Sequence, residues 1–469
     1  MRDRQRIHLI GVCGTAMATV AALLKQRGHD VGGSDQNVYP PMSDFLVAEG
    51  IRLMSGYSAD HLTPDIDLVV VGNAISRGNP ELEAVLEKKV RYCSLPEVVR
   101  EYFLWGSRSV VLAGTHGKTT TTSLTGWLLT HAERDPTVLV GGIALNFGAG
   151  GASYRLGAGP EFVIEGDEYD SAYFDKTAKF LKYLPDIAVI GNIEFDHADI
   201  YADLDAVRLA FRRLVNLVPR TGLLLLGSDS PHAAGLQTHA VSPVETFGTE
   251  GDATWRAVDV SHADGVTHFT VFKSGERFGA FESPLLGIHN VRNALAAIAV
   301  GSRLGINAST LCEGLKRFRG IKRRLETVGV RKNVTVLDDF AHHPTAVRET
   351  LAALRTGYPS RRIWAVFEPR SASSCRRVFQ DDFAKSFGGA DEVVVAGVFR
   401  SSLPDSERLS TEDLVADLRK LGQRARHIPD IDAIVSVIVG EHRAGDVVVL
   451  MSNGGFGGIH QKLLQALGA

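Results

Sequence analysis

The sequence has little cysteine, no long apolar run and almost no excess of charge of one sign. Its four cysteines lie far apart and form no Cys-x-x-Cys pair, so neither a disulfide framework nor a cysteine-rich zinc site is indicated. No segment offers about 18 consecutive apolar residues, and no membrane span is expected. A net charge of −3 over 469 residues gives no electrostatic footprint for nucleic acid or for a membrane surface.

Targeting signals and repeats are also missing from the sequence. Residues 1–14 run straight into an expected strand and turn, without the apolar core or cleavage site of a signal peptide. We therefore expect a cytoplasmic protein. The composition, 44% hydrophobic and 22% charged, is that of a globular protein, and the length predicts two to four domains.

The most informative segment is residues 110–122, VVLAGTHGKTTTT. An apolar strand leads into a glycine-containing loop, and a helix is predicted over residues 123–132. Backbone N–H groups at such a junction cradle phosphate oxygens, Lys118 can reach the terminal phosphates, and the Thr119 hydroxyl can bind Mg²⁺. The loop is a variant, because Leu112 stands where the common phosphate-loop spacing has glycine. The competing interpretation is a Gly/Thr-rich surface turn.

Carboxylates follow two apolar strands further along the same region. Glu165 stands directly after the predicted strand 162–164, within EGDEYD, and His197 closes the turn N-I-E-F-D-H after the predicted strand 187–191. Acids at the ends of parallel strands can hold a phosphate-bound Mg²⁺. A solvated acidic turn and a structural histidine are the alternatives.

The first hundred residues read as a nucleotide-binding half of a Rossmann fold. A strand at residues 7–10 leads to Gly11 and Gly14, and a second strand ends at Asp35. The third glycine of the dinucleotide fingerprint is missing, so a close helix–strand crossing without ligand remains open. A dinucleotide-dependent oxidoreductase is a second alternative.

Strands and helices alternate along the whole chain, which predicts an α/β protein with parallel, doubly wound sheets. We divide it into residues 1–106, 107–321 and 322–469. The polar stretch 239–281 alternates in a way that suggests antiparallel strands, and helices are expected over 290–304, 344–355 and 409–421. Asn290, Asn293, Arg324 and Asp339 flank the second boundary, where they could complete one ATP site as the domains close.

These motifs, in this order, resemble the Mur ligase family, ATP-dependent enzymes that build the peptide of bacterial cell-wall precursors. The resemblance covers essentially the whole chain: GTHGKTTT, E-x-D-E-x-D, N-x-E-x-D-H, H-N-x-x-N-A, the Arg-Arg pair at 323–324 and DDFAHHPT. It implies a Rossmann-like UDP-binding domain, a central phosphate-loop ATPase-type domain with a parallel sheet and a C-terminal Rossmann-like α/β domain. The opening HLIGVCGTAM is similar to the branch that loads UDP-N-acetylmuramate.

The resemblance also implies roles for individual residues, with ATP and Mg²⁺ as cofactors. Catalysis would use Lys118, Glu165, His197 and Arg324. ATP would be bound by Gly114, Thr115, His116, Gly117, Lys118, Thr119, Thr120, Asn290, Asn293, Arg324 and Asp339. One Mg²⁺ would be held by Thr119 and Glu165 and a second by His197, and the UDP-sugar by Gly11, Gly14, Met17, Asp35 and Asn73. Arg370 would bind a peptide carboxylate, which suits its forked guanidinium.

The implied reaction activates the lactyl carboxylate of UDP-N-acetylmuramate as an acyl phosphate, which an amine then captures. The expected acceptor is the wall tripeptide L-alanyl-γ-D-glutamyl-meso-diaminopimelate, and the alternative is L-alanine. We expect a monomer or weak homodimer that binds neither nucleic acid nor membrane. A non-catalytic nucleotide-binding switch is the remaining alternative.

Overall fold

We describe the fold from a computed structural model of the chain, which covers residues 4–39, 42–399 and 403–468. Within these residues the strands form a five-stranded, a ten-stranded and a six-stranded sheet, and a short two-stranded ribbon. The α/β class and the three-domain architecture expected from the sequence are confirmed. No described helix is long and apolar enough to cross a membrane.

The first sheet has strand order β3-β2-β1-β4-β5, and all of its pairings are parallel. Its strands are β1 (Arg6–Ile10), β2 (Asp30–Asp35), β3 (Arg52–Ser55), β4 (Leu68–Val71) and β5 (Tyr92–Ser94). Its helices are α1 (Thr15–Gln26), α2 (Met42–Ala48), α3 (Pro80–Glu87) and α4 (Leu95–Val99). This order is that of a Rossmann half, and it opens a crevice beyond the carboxyl end of β1.

The central sheet is longer and mixed. Its parallel part contains β6 (Arg108–Ala113), β7 (Thr137–Ala144), β9 (Glu161–Gly166), β12 (Ile187–Ile190), β13 (Leu223–Gly227) and β14 (Val244–Gly248), with β8 (Ala152–Arg155) antiparallel at one edge. At the other edge β15 (Trp255–Ala263), β16 (Val266–Lys273) and β17 (Glu276–Ser283) form the antiparallel extension expected from the alternating pattern. The ribbon pairs β10 (Asp170–Ala172) with β11 (Asp175–Ala178).

Helices cover both faces of this sheet because its strands are apolar on both sides. They are α5 (Lys118–His131), α6 (Leu204–Val215), α7 (Pro231–Ala234), α8 (Ile288–Arg303) and α9 (Ala308–Lys316). The predicted start of α5 at residue 123 was wrong by five residues. Gly117 takes a left-handed φ of 80°, which ends the loop, and the threonine run continues directly as helix. Two of its hydroxyls donate to carbonyls one turn earlier, that of Thr121 to Gly117 and that of Thr122 to Lys118.

The third sheet has the order β18-β19-β23-β20-β21-β22 and is parallel except for the β18–β19 pair. Its strands are β18 (Glu326–Arg331), β19 (Val334–Asp339), β20 (Ile363–Phe367), β21 (Glu392–Val395), β22 (Arg424–His427) and β23 (Val447–Met451). Its helices are α10 (Pro344–Gly357), α11 (Gln380–Ser386), α12 (Thr411–Lys420), α13 (Ile431–Glu441) and α14 (Ile459–Gly468). The three sheets lie within the three predicted segments, but the boundaries at 106/107 and 321/322 stay a prediction.

Candidate active site at the meeting of the central and C-terminal sheets

The phosphate loop is held in shape by the segment that follows β12. The N–H of Thr115 donates to the carbonyl of Asn192 at 2.9 Å, and the N–H of His116 donates to Asn192 Oδ1 at 2.8 Å. The Asn192 amide in turn donates to the carbonyl of His116. Two loop amides are therefore already occupied. The amides left for phosphate are those of the first turn of α5, which an α-helix leaves without internal partners.

Lys118 lies in this first turn and is buried against an acid. Its Nζ is 2.9 Å from Glu168 Oε1 and also donates to the carbonyls of Gly114 and Thr115. Burial alone would lower the pKa of Lys118, but the hydrogen bond to Glu168 and the charges of Glu168, Asp167 and Glu165 together outweigh it, and the pKa is raised. The lysine therefore stays charged where a triphosphate would bind. Glu168, which we did not select from the sequence, is 1% exposed.

Glu168 also contacts His197, the predicted ligand of a second Mg²⁺. The Nε2 of His197 is 2.9 Å from Glu168 Oε1, and its backbone N–H donates to Ser373 Oγ of the C-terminal domain. Burial would lower the pKa of His197, but the hydrogen bond to Glu168 and the charge of Asp196 raise it overall. Glu168 thus joins the lysine and the histidine into one polar cluster.

Thr119 and Glu165 lie side by side, as the Mg²⁺ prediction requires. The Thr119 hydroxyl donates to Glu165 Oε1 at 3.1 Å, and the N–H of Gly141 donates to Glu165 Oε2 at 2.7 Å. Burial raises the pKa of Glu165, which means that its charge is undercompensated by the protein alone. A hydroxyl and a carboxylate are ligands that suit Mg²⁺, so these two residues fit the ion. His197 lies against Glu168 and Lys118, apart from this pair.

Arg324 reaches this pair from the C-terminal side. Its Nη2 is 3.3 Å from the Thr119 hydroxyl, and its guanidinium lies 4.8 Å from the centroid of the Phe340 ring. Burial lowers the pKa of Arg324, although Asp339 and Glu165 oppose the shift. Asp339 fixes the backbone beside it by accepting from the N–H of Leu325 at 2.8 Å. Asp339 therefore helps to position Arg324 by holding the backbone next to it.

The two predicted asparagines of α8 lie behind the phosphate loop. Asn293 accepts a hydrogen bond from Thr121 and donates to Asn290, which donates to the carbonyl of Leu286. Thr120 is buried in the first turns of α5. Gly117 has no room for a side chain, because a Cβ there would lie 2.4 Å from Asn293 Oδ1. The structure brings loop and asparagines together as the ATP prediction expected.

The predicted UDP-sugar residues lie at the carboxyl edge of the first sheet. Gly11 has φ of 83°, and Gly14 caps α1. Asp35 shapes the same turn by accepting from the N–H of Cys13 at 2.9 Å. Met17 is 6% exposed and packs on Gly72, so it belongs to the core beneath the crevice. Asn73 donates to Asp170 of the central domain at 3.0 Å.

Arg370 follows β20, close to the glycine-rich loop after β23. Its guanidinium lies 3.6 Å from the centroid of the exposed Phe399 ring and 3.6 Å from Glu368 Oε1. A Cβ on Gly454 would collide with its side chain, so the present position of the guanidinium depends on glycine there. The guanidinium stacks on Phe399 and pairs with Glu368 at one side, so further N–H groups of Arg370 can donate to an anionic group.

Sequence reasoning missed Asn192, Glu168 and Glu194 as members of the site. Asn192 and Glu194 come just after the apolar strand β12, the same signal that identified Glu165 after β9. That signal could have found Asn192. Nothing in the spacing of EGDEYD separates Glu168 from its neighbours, because the chain turns there and only the folded backbone shows which acid points inward.

Comparison with known proteins identifies the class of this fold and site. Three family profiles match in succession: the Mur ligase family catalytic domain over residues 6–103, the Mur ligase middle domain over 112–301, and the Mur ligase glutamate ligase domain over 323–454. The chain belongs to the Mur ligase family, ATP-dependent ligases that form amide bonds.

Two kinds of ligase within the family are similar to this chain over nearly its whole length. The chain is 42% identical to the UDP-N-acetylmuramate–L-alanyl-γ-D-glutamyl-meso-2,6-diaminoheptandioate ligase of Escherichia coli strain K12, covering 98% of both chains. It is 37% identical to the UDP-N-acetylmuramate–L-alanine ligase of Salinibacter ruber, covering 96% of this chain and 92% of that one. Among solved structures, a murein peptide ligase from Psychrobacter arcticus matches at 36% identity with a TM-score of 0.73 over 99% of both chains.

The backbone alone does not separate the two kinds of acceptor. A UDP-N-acetylmuramate–alanine ligase from Thermotoga maritima, 27% identical, superposes with a TM-score of 0.80 over 98% of both chains. Both groups of ligase share the fold, so they are distinguished here by sequence identity. The identity is higher to the tripeptide ligase of Escherichia coli than to the alanine ligase of Salinibacter ruber.

Proposed function

We propose that this protein joins the tripeptide L-alanyl-γ-D-glutamyl-meso-diaminopimelate to UDP-N-acetylmuramate, with conversion of ATP to ADP and phosphate. The observation that carries the proposal is the 42% identity to a tripeptide ligase over 98% of the chain. The cluster of Lys118, Thr119, Glu165 and His197 supplies the groups that such a reaction needs.

The chemistry begins with a carboxylate that an amine does not attack, because its leaving group would be oxide. Transfer of the terminal phosphoryl group of ATP to the lactyl carboxylate gives an acyl phosphate, and attack by the peptide amine then expels phosphate. Lys118 and Arg324 place positive charge where the transferring phosphoryl group gathers negative charge. When bound, one Mg²⁺ would be held by Thr119 and Glu165 and a second by His197, and both would neutralise phosphate charge.

We further propose the remaining assignments. The UDP-sugar binds at Gly11, Gly14, Asp35 and Asn73, with Met17 beneath it. Arg370 binds a peptide carboxylate, and the protein works in the cytoplasm, which supplies ATP and Mg²⁺. A monomer or weak homodimer is expected, and light scattering at several concentrations would test that state.

The decisive experiment offers ATP, Mg²⁺ and UDP-N-acetylmuramate with either the tripeptide or L-alanine, and follows phosphate release and the product mass. The proposal expects rapid turnover with the tripeptide and little with alanine. Efficient turnover with alanine alone would assign the protein to the alanine-adding reaction. No ADP with any short wall peptide would contradict the ligase assignment itself.

Binding measurements beside this assay separate the other classes of protein. Tight NADH binding without any response to UDP-sugars would favour an oxidoreductase, and nucleotide binding without ligation would favour a switch. The incomplete glycine fingerprint after β1 and the separate phosphate loop after β6 both support the ligase instead.

A further inference from the structure

Three metal-ligand side chains outside the proposed Mg²⁺ site meet between the central and C-terminal domains. His116 Nε2 lies 2.9 Å from Glu194 Oε2, and His343 Nδ1 lies 3.6 Å from the same oxygen. The three donor atoms all lie within 4.8 Å of one another. They come from the phosphate loop, from the segment after β12 and from the N-terminal cap of α10, so only the tertiary structure assembles them.

The proton position on His343 leaves its Nδ1 available as a ligand. Its Nε2 lies 3.1 Å from the carbonyl oxygen of Phe195, which can only accept, so Nε2 carries the hydrogen. Nδ1 therefore presents a lone pair towards Glu194, shared only with a long contact of 3.3 Å from the N–H of Thr345. Metal-binding histidines are characteristically held in this way, with the second ring nitrogen donating to a backbone carbonyl.

The electrostatics of the cluster keep two of the ligands in their metal-binding forms at neutral pH. Burial and the nearby His116 lower the pKa of His343. Burial would raise the pKa of Glu194, but its hydrogen bond to His116 and the charge there lower it. Neutral imidazole and ionised carboxylate are the required ligand forms. His343 is 7% exposed, whereas Glu194 is 36% exposed, so an ion can enter from the solvent side.

We propose that His116, Glu194 and His343 bind one transition-metal ion of the Zn²⁺ class, and that this ion links the phosphate loop to the C-terminal domain. Two imidazoles and one carboxylate form a donor set suited to Zn²⁺, with one position left open for water or another ligand. Mg²⁺ prefers oxygen ligands, so the set discriminates against the ion proposed for Thr119 and Glu165. An ion there restrains the movement of the two domains that form the ATP site.

The test uses the full chain without nucleotide, in excess Mg²⁺ so that oxygen-rich sites are filled. Co²⁺ serves as the spectroscopic probe, and Zn²⁺ is counted by equilibrium dialysis. We expect one equivalent of each to bind, with visible Co²⁺ bands typical of nitrogen ligation and a rise in the thermal unfolding midpoint on adding Zn²⁺. Absence of a stoichiometric site overturns the proposal, whatever the outcome of the ligase assay.

His343→Asn is the key variant, because asparagine keeps the helix cap to Thr345 but removes the imidazole. We expect the affinity for Zn²⁺ to fall at least about tenfold. Loss of a residue that only hydrogen-bonds to a metal ligand already costs that much, and here a ligand itself is removed. His342→Asn is the matched control: the neighbouring ring faces the carbonyl of Phe340, and metal binding should persist.

A second variant separates this site from the proposed Mg²⁺ site. In His197→Gln the Co²⁺ bands should remain, because His197 contacts Glu168 and not this cluster. Loss of the bands in His197→Gln together with their survival in His343→Asn would place the ion at the Mg²⁺ site and overturn the proposal.

Discussion

Lys118 and Glu168 form a buried charge pair in which one partner was identified from the sequence and the other was not. The lysine follows from its place in the loop, whereas the acid is one of four within six residues. In the fold, Glu168 occupies the space between Lys118 and His197 and is almost inaccessible. If Lys118 is removed, Glu168 remains as a buried, uncompensated charge, which destabilises the fold. The effect of Lys118 on activity can therefore be separated from its effect on stability by also changing Glu168.

We predict that Lys118→Ala lowers turnover by at least about 100-fold, since a donor to the transferring phosphoryl group is lost. The free energy of unfolding should also fall by about 3 kcal/mol, because Glu168 keeps only His197 as a charged partner. Urea unfolding and phosphate release measure the two effects.

The double variant Lys118→Ala/Glu168→Gln is the control for that experiment. It removes the uncompensated charge and should recover most of the stability without recovering turnover. Full ligation in either variant would contradict the role of Lys118.

A second prediction concerns Asp446 in the C-terminal domain. It accepts from both Nε and Nη2 of Arg362 and from the indole of Trp364. Burial would raise the pKa of Asp446, but Arg362 and the other donors lower it below its ordinary value. Its stabilising contribution is therefore complete above the unfolded-state pKa and is lost as the pH falls through the lower folded-state pKa.

Asp446→Asn should therefore cost about 3 kcal/mol of unfolding free energy near neutral pH, the cost of breaking a buried pair. The difference from the wild type should shrink in acid, as the pH falls below the unfolded-state aspartate pKa of about 3.9. Urea unfolding of both proteins at neutral and acid pH measures this, and a difference independent of pH would show that the ion pair does not cause it.

At the scale of single elements, the phosphate loop and α5 show where local sequence rules succeed and where they do not. The loop position followed from an apolar strand before glycine and lysine. The helix start was wrong because a run of four threonines reads as a poor helix former. In the fold these threonines are buried, and Thr121 and Thr122 donate to carbonyls of the preceding turn. Packing against the sheet therefore overrides their weak helix propensity.

Gly117→Ala should disrupt this junction. The position has φ of 80°, which costs a non-glycine residue about 1 kcal/mol, and the added Cβ would also meet Asn293 Oδ1. We expect strongly weakened ATP binding by calorimetry, because Asn293 must leave its present position beside the loop.

Gly28→Ala is the matched variant for that test. Gly28 has φ of 93°, but a Cβ added there would have no other atom within 4 Å, so only the backbone cost applies. It should lose stability by about 1 kcal/mol with unchanged ATP affinity. Equal ATP affinity in the two variants would contradict the close approach of Gly117 to Asn293.

At the scale of the whole molecule, the two predicted domain boundaries differ in character. Trp105 is 64% exposed and precedes Gly106 in a turn, which is typical of a connection between domains. Ile321 is 3% exposed and pairs with Ala144, while the N–H of Lys322 donates to the carbonyl of Ile143. The second connection is therefore packed onto the central domain.

Limited chymotrypsin digestion should accordingly cut next to Trp105 while residues 318–323 stay intact, although that segment begins with Phe318. Proteases cut exposed, locally openable backbone, and Phe318 is buried. Fragment masses at early times measure the order of cleavage. An early fragment ending at residue 318 would contradict the packed boundary.

The chain itself specified the alternation of strands and helices, the phosphate loop, the carboxylate after β9 and the order of motifs that resembles the Mur ligases. These features are local, because hydrophobic periodicity, glycine turns and strand-end residues are readable within short windows. Which acid among four points inward, which loop amides Asn192 occupies and where His116, Glu194 and His343 meet were decided only in three dimensions. Glu168 and Lys118 are 50 positions apart, and Asn192 and Glu194 contact His116 across more than 70. Such contacts depend on which strands become neighbours in a sheet and on how the sheets pack, which no short window records.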